Sequence, residues 1–332
     1  MAESRPRKRG TLKDIAEKTG LSVSTVSRAL SENPVIPERT REVVRQAARE
    51  LDYRPNALAK ALRTQRSNII GVLVPDIRNP FFANLAAGIQ RAANDKGYFI
   101  LLNHLGDDES QLAASIEMLS SQQVDGLIVV PYAQSNQALN SIIEAGVPVI
   151  TVDRETEFAV PSVTADPLPG IREALTHLAG LPHARVGFVS GPESASTARA
   201  RLRAVEQVAL ELGIEVLVEC GNYRVDEGEK AATALLSQGV NAVLTSDLMS
   251  TIGTSEALNK AEGRLGKDFA LVGFDEISFF HLFDPPIAVV DQHVECIASE
   301  AFEQLYALIE HKPARNVVLP TSFINRASAN LS

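Results

Sequence analysis

From Leu12 to Leu51 apolar residues recur every three or four positions, the period of helices lying on a small core. Thr11 with Asp14 three residues on is a capping signal and predicts a first helix over 12–18. Thr19-Gly20-Leu21 interrupts it, the glycine supplying the backbone freedom of a sharp turn. Ser22 caps a second helix running to Leu30, in which Val26, Ala29 and Leu30 share a face with Leu21. Val23, Ser24, Thr25, Ser27 and Arg28 are then left largely outside the core. Pro37 opens a third helix, from which Val43, Val44, Ala47, Ala48 and Leu51 are expected to close the core. Helix, glycine turn, helix at this spacing is the helix-turn-helix pattern, whose second helix lies in the DNA major groove.

Residues 53–66 read as a linker able to become a helix: Pro55 can start it, and Asn56 to Leu62 are good formers. A helix this short is marginal alone and should order only against DNA or a partner copy.

From Ser67 the texture changes. Short β-branched apolar runs, at 69–74, 98–102, 126–130 and 147–152, alternate with helical patterns such as 82–96, where Phe82, Leu85, Ala86, Ile89 and Ala93 fall on one face ahead of Gly97. The alternation resumes at 186–190, 215–219, 242–245, 270–274 and 287–290. Strands alternating with helices predict parallel sheets with helices on both faces. Two such runs predict two doubly wound subdomains, about 67–165 and 166–291, with the segment 294–332 crossing between them. The expected fold is thus an all-α headpiece (1–53), a hinge (54–66) and an α/β domain (67–332).

Charge changes the picture of partners. The net charge of −9 alone argues against nucleic acid, but residues 1–66 hold 15 Lys+Arg against 8 Asp+Glu, net +7, leaving 17 against 33, net −16, for the rest. A basic cap on an acidic body is the asymmetry of a polyanion-binding domain joined to something else. Arg5, Arg7, Lys8, Arg9, Lys13, Arg41, Lys60 and Arg63 are the expected phosphate-attracting charges, a contribution that falls with salt. Cys220 and Cys296 stand far apart in no metal spacing, which fits a reduced, cytoplasmic protein. The polar, basic start carries no signal-peptide pattern and no apolar run approaches membrane-spanning length.

In open parallel sheets ligands bind beyond the carboxyl ends of the strands. Asp76, Asn79, Phe81 and Phe82 follow the first run, Asp153 and Arg154 the fourth, Asp247, Asp275 and Gln292 later ones; Arg201 and Tyr223 lie in intervening segments. Planar groups with paired donors or acceptors grip adjacent hydroxyls, and aromatic faces cover the C–H surface of a sugar. A polyhydroxylated ring meets both demands. At single positions plainer roles compete: Phe82 as core, Asp153 and Asp275 as helix caps, Arg154 and Arg201 as ion-pair partners between subdomains.

The stretch LKDIAEKTGLSVSTVSRALS, followed after a third helix by RPNALAKAL, resembles the headpiece of the LacI/GalR family of bacterial transcription regulators. The resemblance implies that Thr11, Ser22, Val23, Ser24, Thr25, Ser27 and Arg28 meet DNA in the headpiece. It implies that Asn56, Ala59, Leu62 and Arg63 do so in the hinge, Leu62 wedging into a central CG step of the minor groove. The body resembles the periplasmic sugar-binding fold that the family uses as effector domain. Asn79, Phe81, Phe82, Asp153, Arg154, Arg201, Asp247, Asp275 and Gln292 match its ribose contacts, with Tyr223 at a further aromatic position. The implied protein is a homodimeric repressor on a pseudo-palindromic operator, controlled by a small sugar, with ribose the best guess and a purine or nucleoside the alternative. No cofactor, metal or membrane partner is expected.

Three positions depart from the family pattern. Asp166 precedes Pro167 where Asn is commoner, Ala195 lacks a polar side chain for a purine, and no leucine-heptad tail precedes Ser332, so a dimer is the expected assembly. A transport receptor would need export. An enzyme on the same scaffold lacks support: the six histidines show no metal spacing, and there is neither a G-x-S-x-G elbow nor a P-loop.

Overall fold

The computed structural model describes residues 10–53, 66–106, 109–131, 137–261 and 263–331. They divide into two compact units, one up to Ser67 and one from Asn68.

In the first unit α1 (Leu12–Thr19) begins with a capping box: Thr11 Oγ1 accepts from Asp14 N–H, and the Asp14 carboxylate accepts from Thr11 N–H. Gly20 ends it in the left-handed conformation, φ 69°. Ser22 caps α2 (Val23–Leu30) by accepting from Thr25 N–H, and α3 (Glu38–Glu50) starts after Pro37. Ile15, Ala16, Val26, Ala29, Ile36, Val44, Ala47 and Ala48 form the core. Val43 does not join it and is 48 % exposed. With Val44, Ala47 and Ala48 facing inward, its neighbour one residue earlier is turned about 100° away.

The second unit holds two six-stranded sheets. The first is built from β1 (Ile69–Val74), β2 (Phe99–His104), β3 (Gly126–Val129), β4 (Val149–Val152), β5 (Ser162–Asp166) and β11 (Val317–Pro320), in the order β11-β5-β4-β3-β1-β2, all parallel. The second contains β6 (Val186–Ser190), β7 (Val216–Cys220), β8 (Ala242–Thr245), β9 (Ala270–Phe274), β10 (Ala288–Asp291) and β12 (Ser322–Ile324), ordered β12-β10-β9-β8-β6-β7. Here the all-parallel expectation fails at one edge: β12 runs antiparallel to β10. β11 ends at the carboxyl edge of the first sheet, and through Thr321 the chain enters the second sheet from its carboxyl edge, so β12 runs against the strand beside it.

Helices cover both faces of each sheet. In the first, Ile70, Val72 and Val74 pack under α4 (Pro80–Asp95) and α11 (Val294–Ile309), while Leu73, Leu127 and Val129 pack under α5 (Glu109–Ser121) and α6 (Gln137–Glu144). In the second, Phe188, Leu244 and Val272 pack with α7 (Leu168–Ala179) and α8 (Ser196–Leu212); Val189, Val243 and Leu271 pack with α9 (Val225–Ser237) and α10 (Leu248–Lys260). Strands buried on both faces explain why the sequence shows continuous apolar runs there rather than alternation. The chain passes between sheets at three places: β5 to α7, β10 to α11, and β11 to β12. Among the described residues no helix is long and apolar enough to cross a membrane.

Candidate functional site

The carboxyl ends of the strands of both sheets open onto one cavity of about 620 Å³. Every effector-site residue expected from the sequence lines it: Asn79, Phe81, Phe82, Asp153, Arg154, Arg201, Tyr223, Asp247, Asp275 and Gln292.

Each is delivered by a local feature. Asn79 caps α4, its side-chain oxygen accepting from Phe81 N–H at 3.0 Å, which sets Phe81 and Phe82 edge to face with centroids 5.2 Å apart. Asp153 and Asp275 leave β4 and β9 with left-handed backbone, φ 66° and 70°. Neither caps a helix. Asp247 does, accepting from Met249 N–H and Ser250 N–H at the start of α10. Tyr223, also left-handed at φ 57°, lies against Gly191, where a Cβ would come within 2.2 Å of its ring.

Arg201, on α8, is the hub. It is buried, its guanidinium lies 4.2 Å from the Phe274 ring, and it donates to Ser246 C=O at 2.5 Å and to Gln292 Oε1 at 3.0 Å. Gln292 in turn donates from Nε2 to Asp275 at 2.5 Å. Tyr223 Oη sits 3.1 Å from Thr197 Oγ1 and 3.5 Å from Arg201. Arg154 approaches Asp153 within its own loop, Nε to Oδ2 3.8 Å.

Electrostatics follow from putting three carboxylates around one buried guanidinium. Burial pushes the Asp275 carboxyl up to about 7, the nearby Arg201 and the Gln292 hydrogen bond only partly opposing it. Burial also raises Asp153 and Asp247 above the ordinary carboxylate range, and Tyr223 above the ordinary phenol. Burial opposes the Arg201 charge, yet Tyr223, Asp275, Asp153 and Asp247 around it hold its pKa above the ordinary value. Such a floor can accept hydrogen bonds from several hydroxyls and donate a few in return, beneath aromatic walls.

Sequence reasoning missed other lining groups: Arg78, Thr197, Asn222, Arg224, Asp226 and Met249. Thr197 was within reach, standing four residues before Arg201 on the same helical face. Asp76 and Arg78 form an ion pair at one rim, Arg224 and Asp226 another, both through partners two residues apart. Among the described residues no group of His, Cys, Asp and Glu could hold a metal.

In the headpiece, Val23, Ser24 and Arg28 are exposed on α2, and Thr25 and Ser27 are half-buried. None belongs to the small core. Thr11 and Ser22 stand exposed at the starts of α1 and α2, engaged as caps. Asn56, Ala59, Leu62 and Arg63, expected in the hinge, lie outside the described residues.

A helix-turn-helix unit ahead of two parallel-sheet subdomains that share a polar, aromatic-walled cavity defines a class, the ligand-responsive DNA-binding regulators. Residues 67–327 match the periplasmic binding proteins and sugar binding domain of the LacI family, and residues 11–56 match the bacterial regulatory proteins of the lacI family. The chain belongs to the LacI family: it is a DNA-binding transcriptional repressor with a sugar-binding domain, not an enzyme. It is 28 % identical to the ribose operon repressor of Halalkalibacterium halodurans over 95 % of this chain and 96 % of that one. It is 31 % identical to the HTH-type transcriptional repressor CytR of Escherichia coli over 88 % of this chain and 87 % of that one. The Lac repressor dimer bound to operator and the anti-inducer ONPF superposes with a TM-score of 0.87 at 25 % identity, covering 98 % of this chain and all of the other.

Proposed function

We propose that the chain acts in the cytoplasm as a homodimeric repressor of sugar-utilisation genes, bound to a pseudo-palindromic operator and controlled by a small polyhydroxylated effector, ribose. The observation that carries the effector is the chain of contacts Arg201–Gln292–Asp275 on the cavity floor, with Asp153 and Asp247 beside it and Phe81, Phe82 and Tyr223 around it. Fixed acceptors and donors at this density suit adjacent ring hydroxyls, and the aromatic walls suit the C–H face. The likeness to ribose operon repressors supports the pentose.

On DNA, Arg28 and the exposed face of α2 read base edges, with Val23 meeting a thymine methyl and Ser24 or Thr25 supplying hydrogen bonds. Thr11, Ser22 and Ser27 contact the flanking backbone. Asn56, Ala59, Leu62 and Arg63 form the hinge contacts, Leu62 as the minor-groove wedge. The effector regulates only by binding the DNA-competent and DNA-incompetent arrangements unequally. Operator selection from a random duplex library, repeated with Arg28→Ala and Leu62→Ala, tests the DNA half. Arg28→Ala should relax one half-site position, and Leu62→Ala should weaken specific more than non-specific binding; equal losses on all sequences would sink both assignments.

A second reading within the same class is a nucleoside effector. It is favoured by the cavity's size: about 620 Å³ leaves room beyond one pentose ring, toward Asn222, Arg224 and Met249. Competition of ribose with cytidine and adenosine separates the two.

A further inference from the structure

His293 follows Gln292 at the end of β10 and has a left-handed backbone, φ 57°, a conformation uncommon for non-glycine residues. Its neighbours fix it there. Asp291 Oδ1 accepts from His293 N–H at 2.9 Å, and Asp291 Oδ2 lies 3.0 Å from His293 Nδ1. One carboxylate thus holds both the backbone and the ring of the residue two ahead, and Gln292 is the apex of the turn it closes. On the far side of the ring, Nε2 is 3.0 Å from Ser322 Oγ.

Ser322 opens β12 and follows Thr321, whose N–H and hydroxyl both donate to Asp166 C=O, at 3.1 and 2.9 Å. Thr321 Oγ1 also accepts from Gly170 N–H at 3.0 Å. The three passages between the sheets are therefore stitched together, the first to the third through Thr321 and the second to the third through His293. Beyond it, His293 C=O accepts from Cys296 N–H and Ile297 N–H at 2.8 and 3.1 Å, so the same residue starts α11, whose apolar face is core of the first sheet. Ser, His and Asp in this order also occur in hydrolases. Here none of the three lines the cavity, and their bonds end on the crossing segments, so the cluster's role is conformational.

We propose that His293 is a positioning residue for effector binding: clasped between Asp291 and Ser322, it holds the turn that presents the Gln292 amide to Arg201 and Asp275, and ties that amide to the third crossing. This rests on reading the cavity as the effector site. The physical need is specific. Gln292 must keep its oxygen toward Arg201 and its nitrogen toward Asp275, and a small rotation of the turn forfeits both bonds. The Asp291 carboxylate places the ring proton on Nδ1, which leaves Nε2 to accept from the Ser322 hydroxyl.

The test uses the full chain. Ser322→Ala should weaken ribose binding in calorimetry by about five-fold, the value of one hydrogen bond, while the ligand-free melting temperature stays within about 2 °C of wild type. Ser322→Thr, which restores the hydroxyl, should recover wild-type affinity. His293→Asn tolerates the left-handed backbone but is too short to reach Ser322, so it should match Ser322→Ala, and the double variant should be no weaker than either single one. Wild-type affinity in Ser322→Ala, or full additivity in the double variant, overturns the positioning role. A second readout needs no effector: nitrogen NMR of the wild-type His293 ring should show the Nδ1-protonated tautomer, with the Nε2 resonance moving in Ser322→Ala. The opposite tautomer, or an Nε2 signal indifferent to Ser322, overturns the clasp whatever the effector is. Failure of wild type to bind ribose overturns the ribose reading alone, because the ring signature still decides the clasp.

Discussion

Arg201 donates from Nη2 to the side-chain oxygen of Gln292 at 3.0 Å, joining α8 of one subdomain to the segment where the chain passes into the other. Asp153, Asp247 and Asp275 surround the same guanidinium. Removing it should therefore cost more than a contact. In Arg201→Ala those carboxylates lose their buried counter-charge, and urea unfolding should show a loss of about 3 kcal/mol. Arg201→Lys keeps the charge but not the planar fork that reaches Ser246 C=O and Gln292 together. It should retain most of the stability and lose at least roughly ten-fold in effector affinity. A Lys variant that binds as well as wild type would show that the fork is dispensable.

Asp275 gives a pH dependence whose sign is fixed by its raised pKa. Its carboxyl titrates near 7 in the folded protein, against about 3.9 when unfolded. The native state thus holds the extra proton between about pH 4 and 7, so this group's contribution to stability falls as pH rises through that window and is level above it. Effector hydroxyls donating to Asp275 favour the ionised form. Ribose affinity should then fall as pH drops below about 7, with a proton released from the site on binding, and Asp275→Asn should flatten both profiles. An unchanged pH profile in that variant would remove Asp275 from the account.

Tyr223 depends on a residue with no side chain. A Cβ on Gly191 would stand 2.2 Å from the Tyr223 ring, so Gly191→Ala must displace the ring and its 3.1 Å contact with Thr197. Effector affinity should drop by roughly ten-fold while operator binding without effector is retained. The control is Gly191→Ala with Tyr223→Phe, where the lost hydroxyl contact can no longer be the cause of any further change.

In the headpiece, Thr11→Ala removes one half of the capping box of α1. The expected cost is about 1 kcal/mol in headpiece stability, read by hydrogen exchange of the α1 amides. Thr11→Ser should behave as wild type; an equal loss in both would place the effect elsewhere.

Much of this was legible in the sequence because its signals are local. Thr11 with Asp14, Gly20 and Ser22 each mark a helix end by their own chemistry, and Asp153, Asp247, Asp275 and Gln292 each follow an apolar run. A parallel sheet then gathers such strand ends at one edge. The signals that failed are those a neighbour decides. Val43 and Val44 are equally apolar, and only packing against Ile15 and Val26 tells which faces in. β5 holds only Val163 and Ala165 as apolar residues and β12 is three residues long, so neither shows an apolar run. His293 lay hidden for the same reason: its partners are the nearby Asp291 and, across the fold, Ser322.

The most direct test of the central claim is a thermal-shift series on the full chain with ribose, other pentoses, hexoses, nucleosides and purines. A ligand that binds only the folded state adds roughly 2.7 kcal/mol of stability at a hundredfold excess over its dissociation constant. Melting temperature should rise with ribose, and that rise should disappear in Asp275→Ala and in Arg201→Ala. A rise that survives both substitutions, or none with any polyhydroxylated ligand, would contradict that claim.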